Sequence, residues 1–294
     1  MNFHQLQIFY TVAKHKSFTR AAHELLLTQP AVSIQVRQLE EECRTKLFDR
    51  VGKKVILTEA GKILHGYAAS ILNLSKQADS ALQDLQGLKA GSLEIGAGLT
   101  LGAYYLPEII SRFSADYPHI SIRMHLGNST QVIEEILSFK EDLGFVAQVH
   151  RQDQLDVIPF LRETLVAITA PDHALANRRT VSISALKGQR FILRERGSAT
   201  REVVEKTLEE CQVPVNVVME LASNEAIKAA VASGLGASIV SERIVRKELS
   251  TKALRIHSFS DAKLERDLYI VHHKDKYLSS PVREFIRHAM MAFG

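Results

Sequence analysis

The sequence predicts three successive parts: a small helical module ending in two short strands, one long helix, and a larger α/β domain. Three observations predict it. Two short capped helices lie close together near the N-terminus, and a heptad seam runs unbroken from Leu57 to Leu88. From Gly91 onward, short β-rich runs alternate with helical stretches. The boundaries read as 1–58, 59–89 and 90–294, and 294 residues suffice for a small module and a larger domain with separate cores.

In the first part, Ser17 is placed to cap a helix over Phe18–Leu25, with Phe18, Ala21, Ala22 and Leu25 on one face. Leu26-Leu27 is a short connection, and Thr28 caps a second helix that tolerates Pro30 in its first turn. Ala31, Val32, Val36 and Leu39 can then pack inward, which turns Gln29, Ser33, Ile34 and Arg37 outward. Small Ala21 and Ala22 let the two helices cross closely, as a helix-turn-helix requires.

The outward residues suit the major groove of double-stranded DNA. Gln pairs with adenine, Arg with guanine or phosphate, Ser with either, and Ile touches a thymine methyl. Ser17, Thr19, Arg20, Thr28 and Pro30 complete the candidate contact set on the helices. Phe48–Leu57 reads as a hairpin-like wing that brings Arg50, Lys53 and Lys54 to the phosphates. For any one of these residues a plain solvated face is the alternative; the arrangement carries the assignment.

Charge supports a polyanionic partner. Residues 1–89 hold 12 Lys/Arg and 8 Asp/Glu, whereas residues 90–294 hold 25 of each, so the whole net charge of +4 sits in the first third. An excess of four is modest and supports the reading without carrying it.

The long helix follows. Leu57, Ala60, Leu64, Tyr67, Ile71, Leu74, Ala78, Ala81, Leu85 and Leu88 keep a 3,4 spacing, with Thr58 as cap and Gly87 and Gly91 bracketing the end. A narrow stripe of this length points to a coiled-coil dimer; packing lengthwise on its own domain is the alternative.

In the third part, strands are expected at Leu93–Ala97, Ile120–Leu126, Leu143–Val149, Leu165–Thr169, Phe191–Leu193, Val215–Leu221, Ala237–Val240 and Leu268–His272, with a final helix at Val282–Met291. Such alternation predicts sheets covered on both faces. Four polar segments each end a strand and begin a helix: Gly98–Thr100, Gly127–Thr130, Gly197–Arg201 and Ser223–Glu225. Ligands of open α/β sheets bind at such strand ends, where helix N-termini favour negative charge. A small anion is therefore expected on Thr100, Asn128, Ser129, Thr200, Arg201 and Asn224, with Arg201 as the cation that grips it. Plain helix capping is the alternative for the hydroxyls and amides.

Other classes find little support. No apolar run is long enough for a membrane span, and the first residues do not read as a signal peptide, so a cytoplasmic setting is expected. Cys43 and Cys211 form no paired motif and are expected to be reduced, with Cys211 an inert core thiol. The 12 His show no metal-ligand spacing and no Gly-rich phosphate loop is present, so no metal, no cofactor and no catalytic residue is expected.

Leu6, Phe9, Val12, Ala13, Ser17, Phe18, Ala21, Ala22, Leu25, Thr28, Gln29, Pro30, Ala31, Val32, Ser33, Leu39, Glu40, Leu47, Phe48, Arg50, Leu57, Thr58 and Gly61 resemble the N-terminal signature of LysR-type transcription regulators. The match is dense over about the first 65 residues and otherwise one of layout. Arg44 departs from it, standing where the family usually has a helix-ending glycine. The resemblance implies a winged helix-turn-helix, a linker helix and a two-lobed periplasmic-binding-protein-like domain. Lobe I would be 91–161 with 267–294, and lobe II 162–266. It further implies a sequence-specific DNA-binding regulator, assembled as a dimer of dimers and controlled by an effector between the lobes. RERGSATRE and SNEAIKAAVASGLG look like runs in regulators of carbon-fixation and of sulfite- or cysteine-linked operons, whose clefts bind phosphorylated metabolites or oxyanions. A solute-binding protein for a small anion is the alternative reading of the larger domain. Operator, effector and the sense of regulation stay open.

Overall fold

Asn2 starts the first helix, α1 (Phe3–His15), through a reciprocal cap: its side chain accepts the Gln5 amide while the Gln5 side chain accepts the Asn2 amide. Ser17 caps α2 (Phe18–Glu24) and Thr28 caps α3 (Gln29–Cys43), with Pro30 in the first turn. Ile8, Val12, Ala21, Ala22, Val32 and Val36 form the buried centre of these three helices. The computed structural model describes residues 1–51, 54–84, 91–245, 248 and 252–293, and the chain divides into two units, 1–85 and 86–294.

The wing is β1 (Phe48–Val51) paired antiparallel with β2 (Lys54–Leu57). The Phe48 ring packs against Phe9 and Phe18, with centroids 5.2 and 5.7 Å away, so the wing shares the helical core. Glu40 fixes its entry. This buried carboxylate of α3 accepts the Leu47 and Phe48 amides at 2.9 and 3.3 Å and the Lys46 ammonium at 2.7 Å. Burial raises the Glu40 pKa, but the bonds from Lys46 and the two amides outweigh it and hold the carboxyl below its usual range.

Helix α4 (Glu59–Asp84) begins where Thr58 accepts the Gly61 amide at 2.9 Å and donates to the Lys46 carbonyl at 2.7 Å. Gly61 is needed there, because a Cβ would stand 2.1 Å from the Leu47 carbonyl oxygen. Leu57, Ala60 and Leu64 pack on a core of Leu6, Phe9, Leu39, Leu47 and Ala68. The expected heptad seam therefore divides. Its first third belongs to the unit's own core, whereas Tyr67, Ile71 and Leu74 are exposed. Leu85, Gly87 and Leu88 of that pattern lie outside the described residues.

The second unit contains β3 (Gly91–Gly98), α5 (Leu99–Tyr104), α6 (Leu106–Asp116), β4 (Ile120–Gly127), α7 (Ser129–Leu137), β5 (Leu143–Val146) and β6 (Leu155–Thr169). There follow β7 (Thr180–Val181), β8 (Arg190–Arg194), α8 (Ala199–Glu210), β9 (Asn216–Leu221), α9 (Asn224–Ala232), β10 (Ser238–Ser241), β11 (Arg255–Phe259), β12 (Glu265–His273) and α10 (Ser280–Phe293). One sheet has the order β4-β3-β5-β12-β6-β11-β7, with β10 also on β6, and β8 pairs in parallel with β9. Strand β12 pairs antiparallel with β6 over Leu155–Thr164, the rest of β6 pairs with β10 and β11, and the two long strands feed two cores. Leu268 and Ile270 join the core around Phe113, Phe145 and Phe285, while Leu165 and Ala167 join that around Phe191 and Leu208.

Three strand expectations change. Strand β6 begins ten residues before the predicted Leu165 and carries Pro159 at a bulge: Tyr269 pairs with Pro159 and Leu268 with Leu161, leaving Phe160 unpaired. β5 ends at Val146 rather than Val149, and the short β7 and β11 were not expected. Cys211 is not a core thiol. It is the exposed C-cap of α8, and Cys43 is exposed too.

Candidate functional site

The outward face of α3 begins at its cap. Thr28 Oγ1 accepts the Ala31 amide at 3.3 Å, and beyond it Gln29, Pro30, Ile34 and Arg37 stand exposed and Ser33 half-exposed along successive turns. Gln29 Nε2 donates to Ser33 Oγ at 2.8 Å, joining an amide and a hydroxyl into one polar patch. Arg37 pairs with Glu41 at 3.2 Å in the next turn, both side chains largely exposed. On α2, Thr19 and Arg20 are exposed, and Ser17 is engaged as the cap that accepts the Arg20 amide at 3.3 Å. Lys54 is exposed on β2; Lys53 and the Arg50 side chain lie outside the described residues. Donors, acceptors and one exposed apolar side chain (Ile34) on a helix face, with cations alongside, match what base edges and phosphates present.

In the second unit the four expected strand-to-helix junctions are present: β3 into α5, β4 into α7, β8 into α8 and β9 into α9. Three of them surround one cavity, lined by Gly98–Leu101, Gly127–Ser129, Ala147, Arg194, Ser198–Thr200 and Arg266. Its accessible volume is about 30 Å³, the space of a few water-sized groups. Thr100, Ser129, Ser198, Thr200, Arg194 and Arg266 are between 3% and 7% exposed, so a guest would meet them in a desolvated setting.

Most of the polar lining groups are held by hydrogen bonds. Arg194 grips Glu195 with two bonds of 2.8 and 2.9 Å and donates to Asn224 Oδ1 at 2.9 Å. Asn224 Nδ2 in turn donates to Thr100 Oγ1 at 3.1 Å, so Asn224 orients the site from behind. Arg266 donates to Thr200 Oγ1 at 2.7 Å and pairs with Glu163. Glu163 also accepts the Tyr105 hydroxyl at 2.8 Å and the Ser241 hydroxyl at 2.6 Å. Burial, then the Glu163 charge, raises the Tyr105 pKa, so the phenol stays a donor. Asn128 is engaged in a reciprocal cap with Gln131, both bonds 2.9 Å, and Ser129 Oγ accepts the Ala147 amide at 3.4 Å. The Ser198 side chain makes no cap bond to α8.

Arg201 is the correction. Its guanidinium does not line the cavity. It pairs with Glu205 one turn on, with Glu220 of β9, and donates to the Arg194 carbonyl at 3.0 Å. A cation in the first turn opposes the helix dipole, and these partners supply the compensation that a ligand was expected to supply. The cations at the cavity are Arg194 and Arg266, neither anticipated. Arg194 had a signal, standing at the end of the buried run Phe191–Leu193, seven residues from the chosen Arg201. Arg266 had none, since the β12–β6 pairing sets it opposite Glu163 and its contact with Thr200 of α8 spans 66 residues.

Among the described residues no helix is long and apolar enough to cross a membrane. Comparison with known proteins matches residues 3–62 to the family described as "Bacterial regulatory helix-turn-helix protein, lysR family" and residues 86–293 to "LysR substrate binding domain". The HTH-type transcriptional activator CmpR of Synechocystis is 36% identical over 96% of this chain and 93% of its own length. The RuBisCO operon transcriptional regulator of Allochromatium vinosum is 37% identical over 96% of this chain and 94% of its own. Among solved structures, the Synechocystis CcmR regulatory domain in complex with 2-PG covers 69% of this chain and 97% of that domain, at 32% identity and a TM-score of 0.65. With both of its units matched in order and its relatives aligned almost end to end, this chain is a transcription regulator of the LysR family.

Proposed function

We propose that residues 1–58 bind double-stranded operator DNA through α3 and the wing, and that a small anion in the cavity lined by Arg194 and Arg266 controls that binding. The domain limits that go with this reading are a linker helix at 59–89 and an effector domain at 90–294. Within the latter, lobe I is 91–161 with 267–294, and lobe II is 162–266. The exposed stripe of α4 supports a dimer, and the effector domains pairing separately would give a dimer of dimers.

The observation that carries the effector reading is the composition of the cavity. Two buried guanidinium groups and the hydroxyls of Thr100, Ser129, Ser198 and Thr200 converge on a space of about 30 Å³. Such a space fits the head group of a carboxylate or phosphate, and the N-termini of α7 and α8 add positive potential. The 2-PG complex of a 32% identical domain supports the same ligand class, and 2-PG is the first ligand to try.

Calorimetry of the full chain with 2-PG and other small phosphorylated or carboxylated anions tests this. Thr200→Ala and Ser129→Ala should each weaken binding by roughly ten-fold, the loss of one hydrogen bond to a charged group. Arg201→Ala should bind like the parent. The reverse pattern, with Arg201→Ala abolishing binding and Thr200→Ala binding like the parent, moves the ligand elsewhere. On DNA, Gln29→Ala and Ser33→Ala should change which bases are tolerated, and Lys54→Ala should flatten the salt dependence. Footprints on a native promoter unchanged by all three would refute the interface.

A further inference from the structure

Away from the effector cavity, three side chains meet that lie far apart in sequence. His125 is on β4, Glu135 on α7, and Glu141 in the turn before β5. One imidazole nitrogen and one oxygen from each carboxyl lie within 4.8 Å of one another. His125 Nδ1 stands 3.3 Å from Glu141 Oε1. A pocket of about 500 Å³, lined by His125, Gln131, Glu134, Glu135, Ser138 and Glu141 among others, opens onto them.

Glu141 needs an explanation. Its side chain is 1% exposed, and its Oε2 is a buried oxygen with no hydrogen-bond partner among the described residues. A buried carboxylate oxygen without a partner costs folding free energy, so it is retained where something else satisfies it. Room for the group exists because residue 96, which faces His125 across the β3–β4 pair, is a glycine. A Cβ there would stand 1.6 Å from Glu141 Oε2. Burial, then the adjacent Glu135, pushes the Glu141 carboxyl up to about 8. Lys140 reaches Glu135 Oε1 at 3.6 Å, but both side chains are partly exposed and can separate.

We propose that His125, Glu135 and Glu141 form a binding site for a divalent transition-metal ion. One imidazole and two carboxylates are a borderline-soft donor set suited to zinc, with three protein ligands and an open position facing the pocket. Tetrahedral coordination at about 2.0–2.1 Å puts ligand atoms roughly 3.3 Å apart. The exposed His125 and half-exposed Glu135 reach that spacing by side-chain rotation, while buried Glu141 stays fixed.

The test is calorimetric titration of chelator-stripped full-length protein with zinc chloride, with a His119→Ala variant as control for the other histidines. One equivalent should bind at micromolar concentration in the parent and in His119→Ala. His125→Ala and Glu135→Gln remove exposed or half-exposed groups and should fold normally. Each should weaken that equivalent by roughly a hundred-fold, since even outer-shell partners of a metal are worth ten- to a hundred-fold. Gly96→Ala should weaken it too, by displacing the Glu141 carboxylate. A parent that takes up no zinc below millimolar, or a His125→Ala variant that binds like the parent, overturns the site. Binding of 2-PG in the same His125→Ala variant should match the parent, which separates this site from the effector cavity.

Discussion

Arg44 ends α3 in the left-handed region, at φ 50°, in the position where the family signature has glycine. A side chain there carries about 1–2 kcal/mol of left-handed strain. Glycine would remove that strain but cost about 0.5–1 kcal/mol of extra chain entropy. Arg44→Gly should therefore raise the stability of the N-terminal unit by roughly 0.5–1 kcal/mol, read as a higher urea midpoint at unchanged slope. A lowered midpoint would show that Arg44 makes contacts that outweigh its backbone. Glu40 gives the opposite case. Its folded carboxyl is held below the usual range, so it adds stability above its unfolded pKa of about 4.3, lost as pH falls through the lower folded value. Glu40→Gln should cost about 1.5–3 kcal/mol at pH 7, the worth of hydrogen bonds to a charged group. The gap to the parent should narrow below about pH 4. A gap independent of pH would mean that shape, and not charge, fixes the wing.

At the scale of elements, α4 serves two partners along one length. Leu64 packs on the cluster that contains Leu39 and Leu47, whereas Tyr67 and Leu74 are 68% and 65% exposed. Ile71→Asp with Leu74→Asp should convert the assembly to smaller species by light scattering with the N-terminal unit still folded, because charges in an apolar seam are left unpaired. Leu64→Asp should instead unfold that unit, by the cost of a charge in its core. An unchanged mass for the Ile71/Leu74 double variant would assign the stripe to another role. The strand elements teach a similar lesson: β6 passes Pro159 through a bulge, so a residue that reads as a stop is a bend within one long strand.

For the whole molecule, an effector that binds only folded chain adds stability by mass action. At a hundred times its Kd, 2-PG should add about 2.7 kcal/mol to the unit of residues 86–294, seen as a raised transition in scanning calorimetry. Thr200→Ala at the same concentration should show a smaller shift, and a transition that stays put in the parent would remove 2-PG from consideration. Much of this architecture was legible in the sequence, because it follows from local rules. Caps at Ser17, Thr28 and Thr58, the spacing of apolar residues, and four polar strand-to-helix junctions are set by neighbours within one or two turns. The sequence alone thus determined the helix-turn-helix, the long helix, the α/β character of the second unit and the four junctions, three of which surround the cavity. Which charges face that cavity was decided by pairings across the fold. Arg201 is drawn to Glu220 nineteen residues away, and Arg266 reaches Thr200 across 66 residues. His125, Glu135 and Glu141 meet only because parallel β4 and β3 place an imidazole beside a glycine gap. A side chain's partner is chosen by through-space distance in a desolvated interior, where one mismatched charge costs more than any local propensity, and that distance exists only after the strands have paired.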